Sequence, residues 1–302
     1  MKTEQAVSPT GREAVPPSPD PQIPRLRDAV PTVWLNLICL DAPIVAVAWL
    51  WLFARTFDVP LRTGNGVALF LTAWLIYLGD RFVDAISLKP GLPRSLRQEF
   101  CLGHREIWIT TVALVAGFDA YVIWRTTAWE TFLVGIAVGV LALIYLVANH
   151  PLGLIWRSLP AKELAIGILF AAGTAVALLP QPPTTPAFAI AVIAFAALCS
   201  LNCISIASWE RELDRAQHKI SIVTRHPHLS RYVGKICVAL ALAVFAGAIL
   251  FPSGALVFVC LAVSAFLLAW LNSSSVGGDD SKTALADLVL LSPLIVFIVA
   301  TL

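Results

Sequence analysis

The chain has 302 residues, of which 58% are hydrophobic and only 13% charged, and this excludes an ordinary soluble globular protein. A formal net charge of +2 singles out no charged partner, and no nucleic-acid partner is expected. The six cysteines (Cys39, Cys101, Cys199, Cys203, Cys237 and Cys260) are scattered through apolar segments without zinc-ligand spacing. They read as free thiols packed like small apolar side chains.

Residues 1–31 are proline-rich and poor in apolar residues, which predicts a disordered cytoplasmic tail and not a signal peptide. Residues 32–302 read as a single transmembrane helical domain, an all-α polytopic membrane bundle of about nine helices. The predicted spans are 34–54, 65–84, 107–124, 131–148, 163–179, 187–209, 236–251, 255–271 and 284–302. Runs of this length cross ~30 Å of hydrocarbon at ~1.5 Å per residue. Pro180, Pro182, Pro183 and Pro186 make a turn between the fifth and sixth spans, and Gly277 and Gly278 make one before the ninth. Asp41-Ala42-Pro43 marks a local break in the first span. Of the 21 Lys and Arg, only Arg55, Arg62 and Arg125 fall in loops on one side of this arrangement. The rest lie in the tail and in the loops after the second, fourth, sixth and eighth spans. By the positive-inside rule the N-terminus is cytoplasmic, in a multi-pass protein expected in the cell membrane.

Two acidic clusters stand at the cytoplasmic ends of two of these spans. Asp80-Arg81-Phe82-Val83-Asp84 ends the second, and Glu210-Arg211-Glu212-Leu213-Asp214 follows the sixth. In each, carboxylates four residues apart share one face of a helix. Membrane helices often end in charge, so either cluster alone reads as a solvated terminus. Two at matching ends can face one another, and charge this close to hydrocarbon marks a functional site.

Facing carboxylate clusters suit Mg²⁺, which takes oxygen ligands and is commonly held by one or two carboxylates plus substrate phosphates. Neighbouring Arg and Lys then suit the remaining oxygens of a diphosphate. An apolar interior suits a long hydrocarbon tail. Trp74 and Tyr77 precede the first cluster at helical spacing, placed either to face an allylic cation or to sit as interfacial aromatics. The basic segment Ser95–Glu106 reads either as a cap over the diphosphate or as a contact for anionic lipid.

These features resemble the UbiA superfamily of intramembrane prenyltransferases, with nine helices and aspartate motifs after the second and sixth. Asp80, Arg81 and Asp84 fit the DRxxD part of its first motif, NDxxDRxxD, while Ile76 and Tyr77 replace that motif's Asn and following acid. Glu210, Glu212, Asp214 and Ser221 fit the second motif, with glutamates for aspartates. Tyr145, Arg157, Lys162 and Gly167 fit the spacing of a Tyr, basic residues and Lys-x-x-x-x-Gly around the fifth helix. The resemblance implies Mg²⁺-dependent transfer of a prenyl group from a prenyl diphosphate to an aromatic or other acceptor within the bilayer. It implies catalytic roles for Asp80, Asp84, Glu210 and Asp214, and metal ligation by these four and Glu212. It implies substrate contacts from Tyr77, Arg81, Tyr145, Arg157, Lys162, Arg211, Lys219 and Ser221.

Two alternatives stay open. One is a catalytically inactive relative, because Ile76 and the glutamates alter the metal-binding pattern. The other is a transporter or lipid-binding membrane protein, for which Asp41, Asp119 and Asp287 are acids within or near other spans. Transporters, however, commonly show internal repeats, and none is visible here. An intramembrane aspartyl protease lacks support, since Leu78-Gly79-Asp80 carries only part of the GxGD string. The single DG-x-x-AR string of CDP-alcohol phosphotransferases is absent.

Overall fold

The computed structural model describes residues 31–149, 162–275 and 278–301. Residues 1–30 of the expected tail, and Arg157, lie outside the described residues. All regular structure among the described residues is helical. The helices are α1 (Pro31–Leu37), α2 (Asp41–Thr56), α3 (Thr63–Ile86), α4 (Leu96–Gly103), α5 (Arg105–Thr126), α6 (Trp129–Asn149) and α7 (Lys162–Ala175). They continue as α8 (Pro186–Trp209), α9 (Arg211–Ala216), α10 (Ile222–Arg225), α11 (Val233–Leu250), α12 (Ala255–Ser273), α13 (Asp279–Leu288) and α14 (Ser292–Thr301).

Among the described residues, seven helices are long and apolar enough to cross a membrane, with α13 and α14 counting together as one. Two predicted spans are shorter than the sequence suggests. The first is broken into α1, of 7 residues, and α2, of 16. The chain turns at Cys39, whose φ is 59°. Asp41 then fixes the start of α2 by accepting the Ala42 N–H at 2.9 Å and the Asn36 amide at 2.6 Å. The indole of Trp74 donates to the Ile38 carbonyl at 3.0 Å, which satisfies a backbone group freed by the break. The fifth predicted span becomes the 14-residue α7, followed by a turn before the prolines.

The core forms where α2, α8, α11 and α12 meet around Trp49, Phe53, Phe195, Phe258 and Leu268, all nearly or fully buried. Trp49 stacks on Phe195 at 4.5 Å, and its indole N–H reaches the Leu290 carbonyl at 2.8 Å. Helices α7 and α8 lie antiparallel and very close. A Cβ on Gly167 would stand 2.2 Å from Ser200 Oγ and 2.8 Å from the Ala196 carbonyl, so glycine is what permits the approach. On the other flank, α3 and α5 are tied by Trp108 to the Leu78 carbonyl at 3.1 Å and by Thr72 to Asp119 at 2.8 Å. The outer faces of α5, α6 and α11 expose Leu114, Trp124, Leu143, Leu242 and Ile249. An apolar exterior over a packed interior is what a lipid surround requires, and the protein is a multi-pass membrane protein.

Candidate functional site

The ends of α3 and α8 converge on one cavity of about 570 Å³. Asp80, Arg81 and Asp84 reach it from the last turns of α3, and Glu210 and Asp214 from the junction of α8 and α9. Lys219, just beyond α9, closes the circle by pairing with Asp84 at 2.6 Å. Acids of both clusters thus line one cavity, and the ion pair ties the first cluster to the segment that follows the second, 135 positions away.

The short helix α4 forms the rim. Its start is a capping box in which Ser95 and Gln98 satisfy each other's backbone N–H groups. That cap aims Gln98 at the site, where its amide donates to Asp84 at 2.9 Å and exchanges hydrogen bonds with Gln217. Arg97 pairs with Glu210, which also accepts from Thr283 at 3.2 Å. The sequence reading offered this segment only as a cap or a lipid contact and did not single out Arg97, Gln98 or Gln217. The Ser-x-x-Gln signature of the box is the one local signal that a helix begins here.

Among the described residues, three buried guanidinium nitrogens have no partner: Nε of Arg81, and Nε and Nη1 of Arg97. Arg81 otherwise donates to the Tyr77 hydroxyl at 2.6 Å and lies over its ring at 4.7 Å. Buried N–H donors left unused in this way are costly. Asp214 is 9% exposed, and its burial pushes the carboxyl up to about 6. Lys162 and Lys219 pull it back, while Glu210 and Asp84 add to the rise.

The rest of the cavity wall is largely apolar, with Leu50, Leu69, Ile136, Ile166 and Phe170 among its lining beside polar residues such as Asn65, Thr72 and Thr127. Tyr145 and Lys162 line it as the sequence predicts. Other predicted residues do not. Glu212 is exposed and holds Arg211 at 3.1 Å and Arg215 at 2.9 Å, so neither Glu212 nor Arg211 faces the cavity. The three form a surface ion network on the outer side of α9. Ser221 is buried as the cap of α10, accepting the Thr224 N–H at 3.1 Å. Trp74 is turned to the α1–α2 break and not to the cavity. Tyr77 does line the cavity, with the Arg81 guanidinium over its ring.

Among the described residues, no three His, Cys, Asp or Glu side chains come together closely enough to enclose a metal ion. Pairs of carboxylates are present. This donor set fits an oxygen-seeking cation that arrives with phosphate oxygens of its own, and does not fit a resident all-protein metal cage.

The chain matches no protein-family profile, no curated protein and no solved structure.

Proposed function

We propose that this cavity binds a prenyl diphosphate together with Mg²⁺ and transfers the prenyl group to an acceptor inside the membrane. The observation that carries this reading is one cavity with two unlike ends. Carboxylates from both clusters and guanidiniums with unused donors meet at one end, and an apolar wall continues from it. A diphosphate with a hydrocarbon tail has the same two halves.

In this reading the side chains exchange partners when ligand enters. Lys219 now neutralises Asp84, and Arg97 neutralises Glu210. With diphosphate present, Lys219, Arg97 and Arg81 turn to its oxygens, which frees Asp84 and Glu210 for the cation. Mg²⁺ would be held by Asp80, Asp84, Glu210 and Asp214, and when bound it stabilises the charge that develops on the departing diphosphate. The apolar wall excludes water, so an allylic centre meets the acceptor and not hydrolysis.

The same reading has nine crossings and a cytoplasmic N-terminus, with α2 and α7 as the two short crossings. Parity supports this. Helices α3 and α8 both end at the charged end of the cavity. Helices α5 and α6 lead away from that end and back, so α7 has to cross before α8 can return. Its antiparallel packing, Gly167 against Ser200 and Phe170 against Phe195, fits that role. The cytoplasmic sidedness rests on the Lys and Arg distribution.

Binding without turnover is a second reading. The absence of a three-ligand metal cluster among the described residues favours it, as does Ile76 at the position of the motif's Asn. Assay of prenyl transfer with Asp80→Asn and Asp214→Asn tests the enzyme reading. A transition-state electrostatic contact is worth ~3–4 kcal/mol, so losses of at least about a hundredfold are expected. Transfer within a few-fold of wild type in both variants would overturn the site assignment.

A further inference from the structure

A second pocket, of about 710 Å³, opens between the last turns of α2 and the first turns of α3. Helix α3 has 24 residues, so ~36 Å separates this pocket from the acidic residues at its other end, more than the ~30 Å of hydrocarbon. The pocket therefore sits at the opposite membrane boundary. Its rim carries Arg55, Asp58 and Arg62, all exposed. Its wall is apolar. Trp51 and Val47 stand one and two helical turns below Arg55 on α2, and Gly66, Val67 and Phe70 face them from α3. Val67 is 41% exposed, so the groove opens on the lipid side.

The local fold holds this rim in place. The Phe57 N–H donates to the Phe53 carbonyl at 3.0 Å and the Val59 N–H to the Ala54 carbonyl at 2.9 Å. These bonds end α2 and turn the chain at Asp58, whose φ is 55°. Phe57, Val59 and Leu61 pack against the core, which leaves Arg55, Asp58 and Arg62 outside. Trp51 is held by the edge-on ring of Phe297 at 5.1 Å, so the wall is already formed. Among the described residues, none of the three charged groups is in an ion pair. Arg125, the other basic residue expected at this boundary, lies over the Trp124 ring at 5.9 Å. An arginine that only snorkels to water needs no groove beneath it. Here two guanidiniums from different elements stand over one apolar groove, and guanidinium suits phosphate oxygens. With Asp58 the rim carries a net charge of +1, two Arg less one Asp.

We propose that this groove is a site for one anionic glycerophospholipid of the leaflet opposite the acidic clusters. Arg55 and Arg62 take its phosphate oxygens, and Asp58 accepts a headgroup hydroxyl. One acyl chain lies along Trp51, Val47, Val67 and Phe70. The charge of the rim is matched by a head of charge −1, as in phosphatidylglycerol. A choline head is neutral overall, brings a cation toward two guanidiniums, and has no hydrogen to donate to Asp58. The site does not rest on prenyl transfer.

The test uses purified full-length protein in phosphatidylcholine nanodiscs. Phosphatidylglycerol and phosphatidylcholine, each with the same diazirine-bearing acyl chain, are added in equal trace amounts to separate samples, and adducts are mapped by peptide mass spectrometry. In the wild type, phosphatidylglycerol is expected to give at least about fivefold more adducts within residues 47–71, since each basic side chain near the surface favours an anionic lipid. An Arg55→Gln, Arg62→Gln double variant is expected to label alike with both probes there, and Arg125→Gln to keep the preference. Gly66→Leu fills the groove and leaves both guanidiniums in place. A Cβ at Gly66 meets nothing within 4 Å, and Leu favours a helix over Gly, so α3 is kept while most of the labelling by phosphatidylglycerol is expected to be lost. Equal labelling of the wild type by the two probes would make the groove an unselective lipid boundary and overturn the site. A preference that survives the double variant would overturn it too. Loss of the preference in excess inorganic phosphate would assign the arginines to a free anion and overturn the lipid; an unchanged preference supports it.

Discussion

Asp214 sets site chemistry against stability in a single side chain. Its carboxyl is raised from 3.8 to about 6 mainly by burial, so the folded protein favours the protonated form. Below pH ~4 the group is protonated in both folded and unfolded states and has no effect on stability. As pH rises toward 6 the unfolded chain releases the proton first, and the folded state loses stability until its own carboxyl ionises. Two pKa units correspond to a loss of about 3 kcal/mol at most, present in full above pH ~6. Without metal, Asp214→Asn is therefore expected to match wild type near pH 4 and to be more stable at pH 8. Thermal midpoints across that range check this, and a variant less stable than wild type at pH 8 would contradict it. Arg97 makes a different point at the same scale. The acids of both clusters are legible in the sequence because each ends an apolar run. Arg97 is not, because its partner Glu210 lies 113 positions away and only the fold brings them together. Glu212 shows the converse error. It shares a motif with Glu210 and Asp214, but its position on the short α9 turns it to the surface beside Arg211 and Arg215.

At the scale of elements, α7 and α8 form the wall that holds Lys162 opposite the second cluster. Their contact depends on Gly167, where an added Cβ meets the Ala196 carbonyl and the Ser200 backbone N–H, neither of which can swing aside. Gly167→Ala is expected to destabilise by roughly 1–3 kcal/mol, as forced overpacking usually does. Gly173→Ala is the control on the same helix, since a Cβ there meets nothing within 4 Å. Equal midpoints for the two variants would contradict the close-packing account. The helices themselves are mostly legible from apolar run length. The exceptions are the segments where length misleads. Residues 34–54 are apolar enough for one span, yet the Asp41-Ala42-Pro43 sequence and the positive φ at Cys39 split them. The apolar run at 163–179 continues past the end of α7 into a turn, because hydropathy does not report where a helix stops.

At the scale of the whole molecule, the proposed arrangement of nine crossings puts the loop after α3 and the loop after α5 on opposite sides of the membrane. Lys89 and Arg125 are exposed in or beside those loops, and the native cysteines are free, all buried but Cys203, which is partly so. Lys89→Cys and Arg125→Cys are therefore expected to react with a membrane-impermeant thiol reagent from opposite faces, Lys89→Cys from the cytoplasmic one. Labelling of both from the same face would break the topology. The proposed diphosphate site, assembling with Mg²⁺, is tested by the thermal stability of the purified protein with farnesyl diphosphate. At ~100 times its dissociation constant the ligand adds about 2.7 kcal/mol, which raises the midpoint by several degrees or less in a chain of this size. The shift is expected with Mg²⁺, and to disappear with EDTA and in an Asp80→Asn, Asp214→Asn double variant. No Mg²⁺-dependent shift at saturating ligand, or an undiminished one in the double variant, would contradict the account.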